Sequence, residues 1–490
     1  MTRLEQVPVQ ALDPRHFESV IASTAYQRLR DLIDNAARGL HGRVIWNVNS
    51  TAKGGGVVEL LRPLLGYSRG SGVDARWLVI AGGPDFFAVT KRLHNRLHGV
   101  EGDGGPLGAD ERAIYERTLA RNAEQLVRLL HPSDIVILHD PQTAGLVSAV
   151  RQAGVTAIWR CHVGLDHANP VAETAWSFVR PHVLAANAYV FSRAAYVWDG
   201  LPDEKVTVIQ PSIDVFSAKN AEQTSEQRMS ILARAGIVKH RSSVAPTFTR
   251  SDGTPGRIDL CRAEVCEAGP LMSEDRVVAQ VSRWDWLKDP LGVLQGFAQH
   301  IAAVPDVHLV LAGPATGAVA DDPEATGVHA AVLDAWQGLE LCVRQRVHLV
   351  SLPMADGEQN AAVVNALQRH ASVVVQKSLA EGFGLTVAEA MWKQRPVVGS
   401  RVGGIQDQIV DGESGVLIAD PRDLGAFGSA VLRLLSDPDR SQRIGAAARE
   451  RVRDRFLGPR PLGLYFDLIQ RLDAGAPPGS AHSSPRTAGV

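Results

Sequence analysis

Two glutamates, Glu381 and Glu389, bracket a Gly-Phe-Gly turn and the start of a helical pattern in the stretch 372–391, SVVVQKSLAEGFGLTVAEAM. The β-branched run at 373–375 reads as a buried strand, Glu381-Gly382-Phe383-Gly384 as a loop, and the apolar spacing from Leu385 as a helix. A helix that opens after a glycine-bearing loop presents unpaired backbone N–H groups, the makings of an anion site. A carboxylate beside such a site is costly unless it receives hydroxyl protons, so both glutamates read as acceptors for hydroxyls of a small polar ligand. Taken alone, the stretch is accounted for equally well by a surface loop with a glutamate favoured by the helix dipole.

A second group sits in 282–290, SRWDWLKDP, where a predicted strand ends just before a helix. Arg283 offers a planar fork suited to phosphate oxygens, and Lys288 a point charge. With the helix start after Gly384 they would hold a pyrophosphate and stabilise it as a leaving group, electrostatic catalysis that calls for no metal. The competing explanation is ion pairing with Asp285 and Asp289. Near the beginning, Gly54, Gly55 and Gly56 follow the strand 44–48 and precede a helix, letting backbone approach a ligand closely; Lys53 adds a cation. The order of Lys and Gly fits neither a dinucleotide fingerprint nor a P-loop.

These residues need elements to hold them. After an entry segment with one helix near 19–39, predicted strands at 44–48, 75–81, 135–139, 156–162, 188–192 and 206–210 alternate with helical spacing at 57–65, 86–98, 110–130, 144–153 and 171–179. Such alternation predicts a parallel sheet with helices on both faces and ligands at the carboxyl ends of its strands. Two strands end in polar clusters there, Leu138-His139-Asp140-Pro141-Gln142 and Trp159-Arg160-Cys161-His162, and together they read as lining one cleft. Residues 214–274 break the pattern; a helical stretch at 225–235 precedes a Ser-, Thr-, Pro- and Gly-rich run, read as an inter-domain connection with an inserted loop. A second alternating set follows, with strands at 276–282, 307–312, 347–352, 373–375 and 397–399, and a hairpin-like GESGVLI at 412–418. The expected organisation is a first domain at 1–213 rejoined by a C-terminal helix at about 457–472, the connection at 214–274, a second domain at 275–456, and a disordered tail at 473–490.

With 490 residues, 45% hydrophobic and 21% charged, the chain has material for at least two ordinary cores. Its formal charge of −2, from 51 basic and 53 acidic residues, argues for neither nucleic acid nor membrane partners. The N-terminus lacks an apolar signal core, no run of ~18 apolar residues appears, and a cytoplasmic location is expected. Four scattered cysteines make no disulfide framework, and Cys261-x4-Cys266 has no partner pair at zinc spacing.

In combination, the Gly54–Gly56 run, HDPQ, RWDWLKDP and SLAEGFGLTVAEAM resemble the retaining GT-B glycosyltransferases, the group that makes sucrose, glycogen and trehalose. Within it, NVNSTAKGGGVVELLRPLL, ILHDPQTAGL, WRCHVGLD and QVSRWDWLKDPLGV are similar to trehalose synthases that join an NDP-glucose to free glucose. The resemblance spans residues 43–472. It implies an α/β fold of two doubly wound, Rossmann-like domains facing a central cleft, no cofactor, and a homodimer. It also implies roles: Gly54, Gly55 and Gly56 near the donor phosphates and acceptor, Arg283 and Lys288 on the pyrophosphate, and Glu389 on the ribose. Glu381 with the N–H groups of Gly382, Phe383 and Gly384 would hold the glucosyl hydroxyls, with Leu385 and Thr386 by the phosphates. His162 and Asp140 would sit by the transferred sugar and acceptor, with Arg160 a further acceptor contact.

The implied reaction passes glucose with retention to the anomeric hydroxyl of glucose, giving trehalose reversibly. A double displacement would need a carboxylate nucleophile; Asp140 and Glu381 are the candidates, and both serve better on hydroxyls. The resemblance implies instead a same-face attack, in which the leaving phosphate would take the acceptor proton. The rival readings are a retaining trehalose phosphorylase, which needs phosphate and no nucleotide, an NDP-sugar isomerase, which releases no NDP, and a sugar-nucleotide sensor without turnover. The base is read mostly by backbone and shape, so the sequence does not rank UDP, ADP, GDP and TDP as the nucleotide.

Overall fold

The computed structural model describes residues 3–52, 55–316 and 324–478. The chain forms two compact units, one taking residues up to Ser212 and from Gly458 onward, the other Ile213–Leu457.

The first unit is built on a seven-stranded sheet. Its strands are β1 (Glu5–Val7), β2 (Val44–Asn49), β3 (Asp74–Val79), β4 (Ile135–His139), β5 (Thr156–Cys161), β6 (Ala188–Phe191) and β7 (Val206–Val208), in the spatial order β1-β3-β2-β4-β5-β6-β7. All pairs are parallel except β1 with β3, which puts a short antiparallel strand at the edge. Strand β4 is buried along its whole length, as an apolar run covered by helices on both faces must be. Chain order reverses across β2 and β4, with β3 on one side and β5 on the other. At such a switch point the connecting helices diverge to opposite faces and leave a crevice at the carboxyl ends. The last helix, Pro459–Asp473, packs in this unit, where Arg43 meets Asp473 at 2.6 Å. Of the predicted disordered tail, Asp473 closes this helix, and the stretch from 479 lies outside the described residues.

The second unit repeats the architecture. After the small hairpin β8 (Thr247–Thr249) and β9 (Pro255–Arg257) come β10 (Glu264–Cys266), β11 (Arg276–Val281), β12 (Val307–Pro314), β13 (Val347–Leu352), β14 (Val373–Gln376), β15 (Val397–Ser400) and β16 (Val416–Ile418). The sheet order is β10-β13-β12-β11-β14-β15-β16, with reversal across β11 and β14. Again one edge strand, β10, runs antiparallel to its neighbour β13.

The stretch 214–274 is folded within the second unit. Its helix Ser225–Ala235 carries a full capping box, Thr224 with Gln227, and stops at Gly236 in the left-handed region at φ 82°. GESGVLI is not a hairpin. Its strand β16 runs parallel to β15, because the short helix Ile405–Gln408 and the turn after it carry the chain back to the starting side of the sheet. Among the described residues no helix is long and apolar enough to cross a membrane.

Candidate active site

The switch point of the second sheet brings together the residues that follow β11 and β14. The turn after β11 is tied to both strands: Gln280 Nε2 donates to the Lys288 carbonyl at 2.7 Å, and the Leu379 N–H to the Leu287 carbonyl at 2.8 Å. Asp285 accepts from the Leu287 N–H at 2.8 Å and pairs with Arg283, whose side chain is 46% exposed, at 3.1 Å. Lys288 does not pair with Asp289; its Nζ lies 2.5 Å from Glu381 Oε2. Ser378 Oγ donates to the same oxygen at 3.3 Å.

Asp289 has other work. It occupies the left-handed region at φ 49°, costly for a residue with a Cβ, and accepts from the Gly292 N–H at 3.0 Å to cap the next helix. Lys377, fully buried just past β14, holds the Asp289 carboxylate and donates to the Pro421 carbonyl at 2.6 Å. The position of Lys288 is thus set from behind by a neighbouring ion pair.

Gly384 is left-handed at φ 84° and begins the helix Leu385–Trp392. A Cβ on it would press Glu381 Cγ at 3.2 Å and Ile405 at 3.3 Å, so this turn requires glycine on two counts. The Gly382 carbonyl accepts from the Gly404 N–H at 3.2 Å, and Gln408 Nε2 donates to the carbonyls of Phe383 and Gly384. With its carbonyls engaged, the turn is rigid at the helix N-terminus. Leu385 opens the helix, and Thr386 Oγ1 donates to Gln376 Oε1 at 3.2 Å, joining it to the end of β14. One turn on, Glu389 is 2% exposed; Oε1 meets Lys219 Nζ at 3.1 Å, and Oε2 is buried with no hydrogen-bond partner among the described residues.

In the first sheet the switch point gathers a different set. His139 ends β4, with Nε2 3.1 Å from Asn47 Oδ1 and Nδ1 3.1 Å from His162 Nε2; the two rings lie 13° from parallel. Asp140 is left-handed at φ 62°, and its Oδ1 accepts from the His162 N–H at 2.7 Å. Arg160, buried on β5, donates from Nη2 to Ser192 Oγ at 3.2 Å. Burial pushes the His139 pKa down to about 3, with Arg160 lowering it further, and drives His162 well below its usual value. Both rings are neutral at pH 7. Burial pushes the Asp140 carboxyl up to about 7, tempered by the His162 N–H and by Arg160. Gly55, left-handed at φ 82°, caps the helix Gly56–Gly70, and a Cβ built on it would meet nothing within 4 Å. Gly54 lies outside the described residues.

The first unit therefore collects Asp140, Arg160 and His162, and the second collects Lys288, Glu381, Gly382, Phe383, Gly384 and Thr386, with Arg283, Leu385 and Glu389 on the same turn and helix. Sequence reasoning missed Asn47, Lys377 and Lys219, and placed His139 among the cleft-lining residues without assigning it a contact. A lysine closing an apolar strand was a usable signal for Lys377. Asn47 and Lys219 carried none, since their partners are distant in the chain.

Residues 47–198 match the family model described as trehalose synthase, N-terminal domain, and residues 264–451 that of glycosyl transferases group 1. A trehalose synthase of Pyrococcus horikoshii is 33% identical over 93% of this chain and 95% of its own length. One from Rubrobacter xylanophilus is 33% identical over 95% of this chain and 99% of its own. Among solved structures, a sucrose-phosphate synthase from Thermosynechococcus elongatus superposes with a TM-score of 0.62 at 17% identity, covering 89% of this chain and all of that one. Two doubly wound units with this likeness make the fold GT-B, and the chain belongs to the trehalose synthase family of glycosyltransferases.

Proposed function

We propose that this protein transfers glucose from an NDP-glucose to the anomeric hydroxyl of a second glucose, with retention, forming trehalose reversibly. The observation that carries this reading is the Lys288–Glu381 pair across the β11/β14 switch point, beside the start of the helix that bears Glu389. Cation, hydroxyl acceptor and backbone donors within one crevice match a ligand that carries a diphosphate on one side and sugar hydroxyls on both. Relatives named trehalose synthase along nearly the whole chain support the product.

Lys288 and Arg283 hold the pyrophosphate, with Leu385 and Thr386 at the helix start beside it. Glu381 and the N–H groups of Gly382, Phe383 and Gly384 hold the glucosyl hydroxyls, and Glu389 the ribose. On the acceptor side, Asp140, His162 and Arg160 take the sugars, near the backbone of Gly55 and Gly56. The bond from the glucosyl anomeric carbon to the phosphate oxygen breaks, a bond to the acceptor oxygen forms on the same face, and the acceptor proton passes to the departing phosphate. A double displacement is disfavoured because Asp140 is buried with a raised pKa and Glu381 is engaged by Lys288. Arg283 and Lys288 supply the positive charge, and the step calls for no metal or cofactor.

The test is to incubate the protein with NDP-glucose and free glucose, without phosphate, and follow products by NMR. An α,α-1,1 disaccharide with one NDP per bond is the expected result. Activity only from trehalose with phosphate would replace this reading with a phosphorylase.

A further inference from the structure

Glu389 is deeply buried, yet one of its oxygens has no hydrogen-bond partner among the described residues. A buried carboxylate needs a compensating cation, and two lysines are near. Lys393 donates to the Glu389 backbone carbonyl at 3.2 Å, but its Nζ is otherwise held by the neutral oxygens of Asn220 at 2.9 Å and Gln368 at 2.8 Å. Burial also drives its pKa well below the ordinary lysine value. Lys219 instead reaches the carboxylate itself, at 3.1 Å, and keeps 22% of its side chain exposed.

The backbone that delivers Lys219 is pinned on both sides. Asn365 Nδ2 donates to the carbonyls of Ala218 at 3.0 Å and Ala221 at 2.8 Å, and Arg369 Nη2 donates to the carbonyl of Asn220 at 3.1 Å. A long lysine side chain loses much rotamer freedom when fixed, and this network bears part of that loss before any ligand arrives. Fixing Oε1 also fixes the direction in which Oε2 accepts.

We infer that Lys219 is a positioning residue for nucleotide recognition: it aims the free oxygen of Glu389 at a ribose hydroxyl and so sets the preference for ribonucleotides. The inference rests on the donor reading above.

The test is calorimetric binding of ADP and UDP, and of their 2′-deoxy and 3′-deoxy counterparts, to the full chain. Wild type is expected to bind the better ribonucleotide about tenfold or more tightly than at least one deoxy form, the worth of a charge-assisted hydrogen bond. In Lys219→Met the ribonucleotide weakens by about the same factor while that deoxy form barely changes, and the preference collapses; Lys219→Arg restores most of it. Should the methionine variant fail to fold, Lys219→Gln takes its place with a reduced preference expected. A variant that keeps the wild-type preference overturns the inference, as does one that weakens every nucleotide equally. Equal binding of ribo and deoxy forms by wild type also overturns it, while leaving the donor reading intact. No binding of either nucleoside diphosphate by wild type sinks the donor reading, and this inference with it.

Discussion

The two switch points occupy the same place in two like sheets and are electrostatic opposites. After β4 and β5 the first unit presents an amide, two neutral imidazoles and a carboxyl raised toward neutrality, with the charge of Arg160 acting on both rings and on the carboxyl. After β11 and β14 the second unit presents ion pairs, Lys288 with Glu381 and Lys377 with Asp289. Fold places a crevice at each point, but side-chain chemistry decides what enters. A set of neutral, hydrogen-bonding groups suits hydroxyls. A set of charges with a helix start suits a diphosphate, whose oxygens would meet groups already aligned.

The charged site is where that contrast breaks most visibly. On the proposed role of Lys288, a charge acting on the leaving group, Lys288→Ala should lower kcat about 100- to 1,000-fold with a modest change in acceptor KM. Near-normal turnover would sink the assignment. Removing the lysine also takes the cation from a largely buried carboxylate that Ser378 still reaches, so Lys288→Met alone should lose about 3 kcal/mol of stability, and adding Glu381→Gln should recover most of it without recovering turnover. Arg283→Ala should likewise cut kcat strongly, yet move stability by less than about 0.5 kcal/mol, since its pair with Asp285 is half exposed.

The neutral site should answer to pH instead. With the Asp140 pKa at about 7, the carboxylate form, the one proposed to accept a sugar hydroxyl, grows in as pH rises through that value, and kcat/KM should rise with it. Asp140→Asn should lose that limb and about 100-fold in kcat/KM. Stability runs the other way. A carboxyl raised in the folded state adds stability that is full below the usual value near 4 and is lost as pH rises through about 7. At pH 8 the asparagine variant should therefore melt no lower than wild type, since asparagine tolerates φ 62° and still accepts from the His162 N–H. A variant that is both inactive and clearly less stable would mean that Asp140 is structural.

Much of this was legible in the chain. The valine run of β14, the glycine at 384 and the cations after β11 follow from local rules of burial, backbone freedom and strand-end placement. Pairing was not. Local charge pattern points Lys288 at Asp289, its neighbour, whereas the sheet order puts it against Glu381, 93 residues away. The same holds for Asn47 and His139, separated by 92 residues and joined only because β2 and β4 are adjacent. Edge strands such as β1 and β10, three residues each, carry too few side chains for a period to register. Glycine-rich GESGVLI has the composition of a hairpin, and only its neighbour β15 decides that its strand is parallel.

A second histidine pair sharpens the comparison most finely, because it repeats the contact without the place. His308 Nδ1 lies 2.9 Å from His348 Nε2, with the rings 9° from parallel, much as in the pair at His139 and His162. These two sit near the starts of β12 and β13, at the opposite end of the sheet from its switch point. Asp275 lies 3.5 Å from His308 and Glu267 3.6 Å from His348; Asp306 and Arg346 also act on His308, and Lys239 reaches Glu267. His308→Asn should leave kcat within about twofold and lower stability at pH 7 by about 1 kcal/mol, the net worth of one buried hydrogen bond. Burial holds the His308 pKa below its ordinary value despite Asp275, so its contribution is present above about 6.5 and is lost as pH falls through the folded value. Melting wild type and variant side by side from pH 7.5 to 5 should show their midpoints converging as pH falls. A gap that widens instead would mean the imidazole is protonated in the folded state, and a large loss of turnover would mean that contact geometry, rather than position at the strand ends, marks a working histidine pair in this fold.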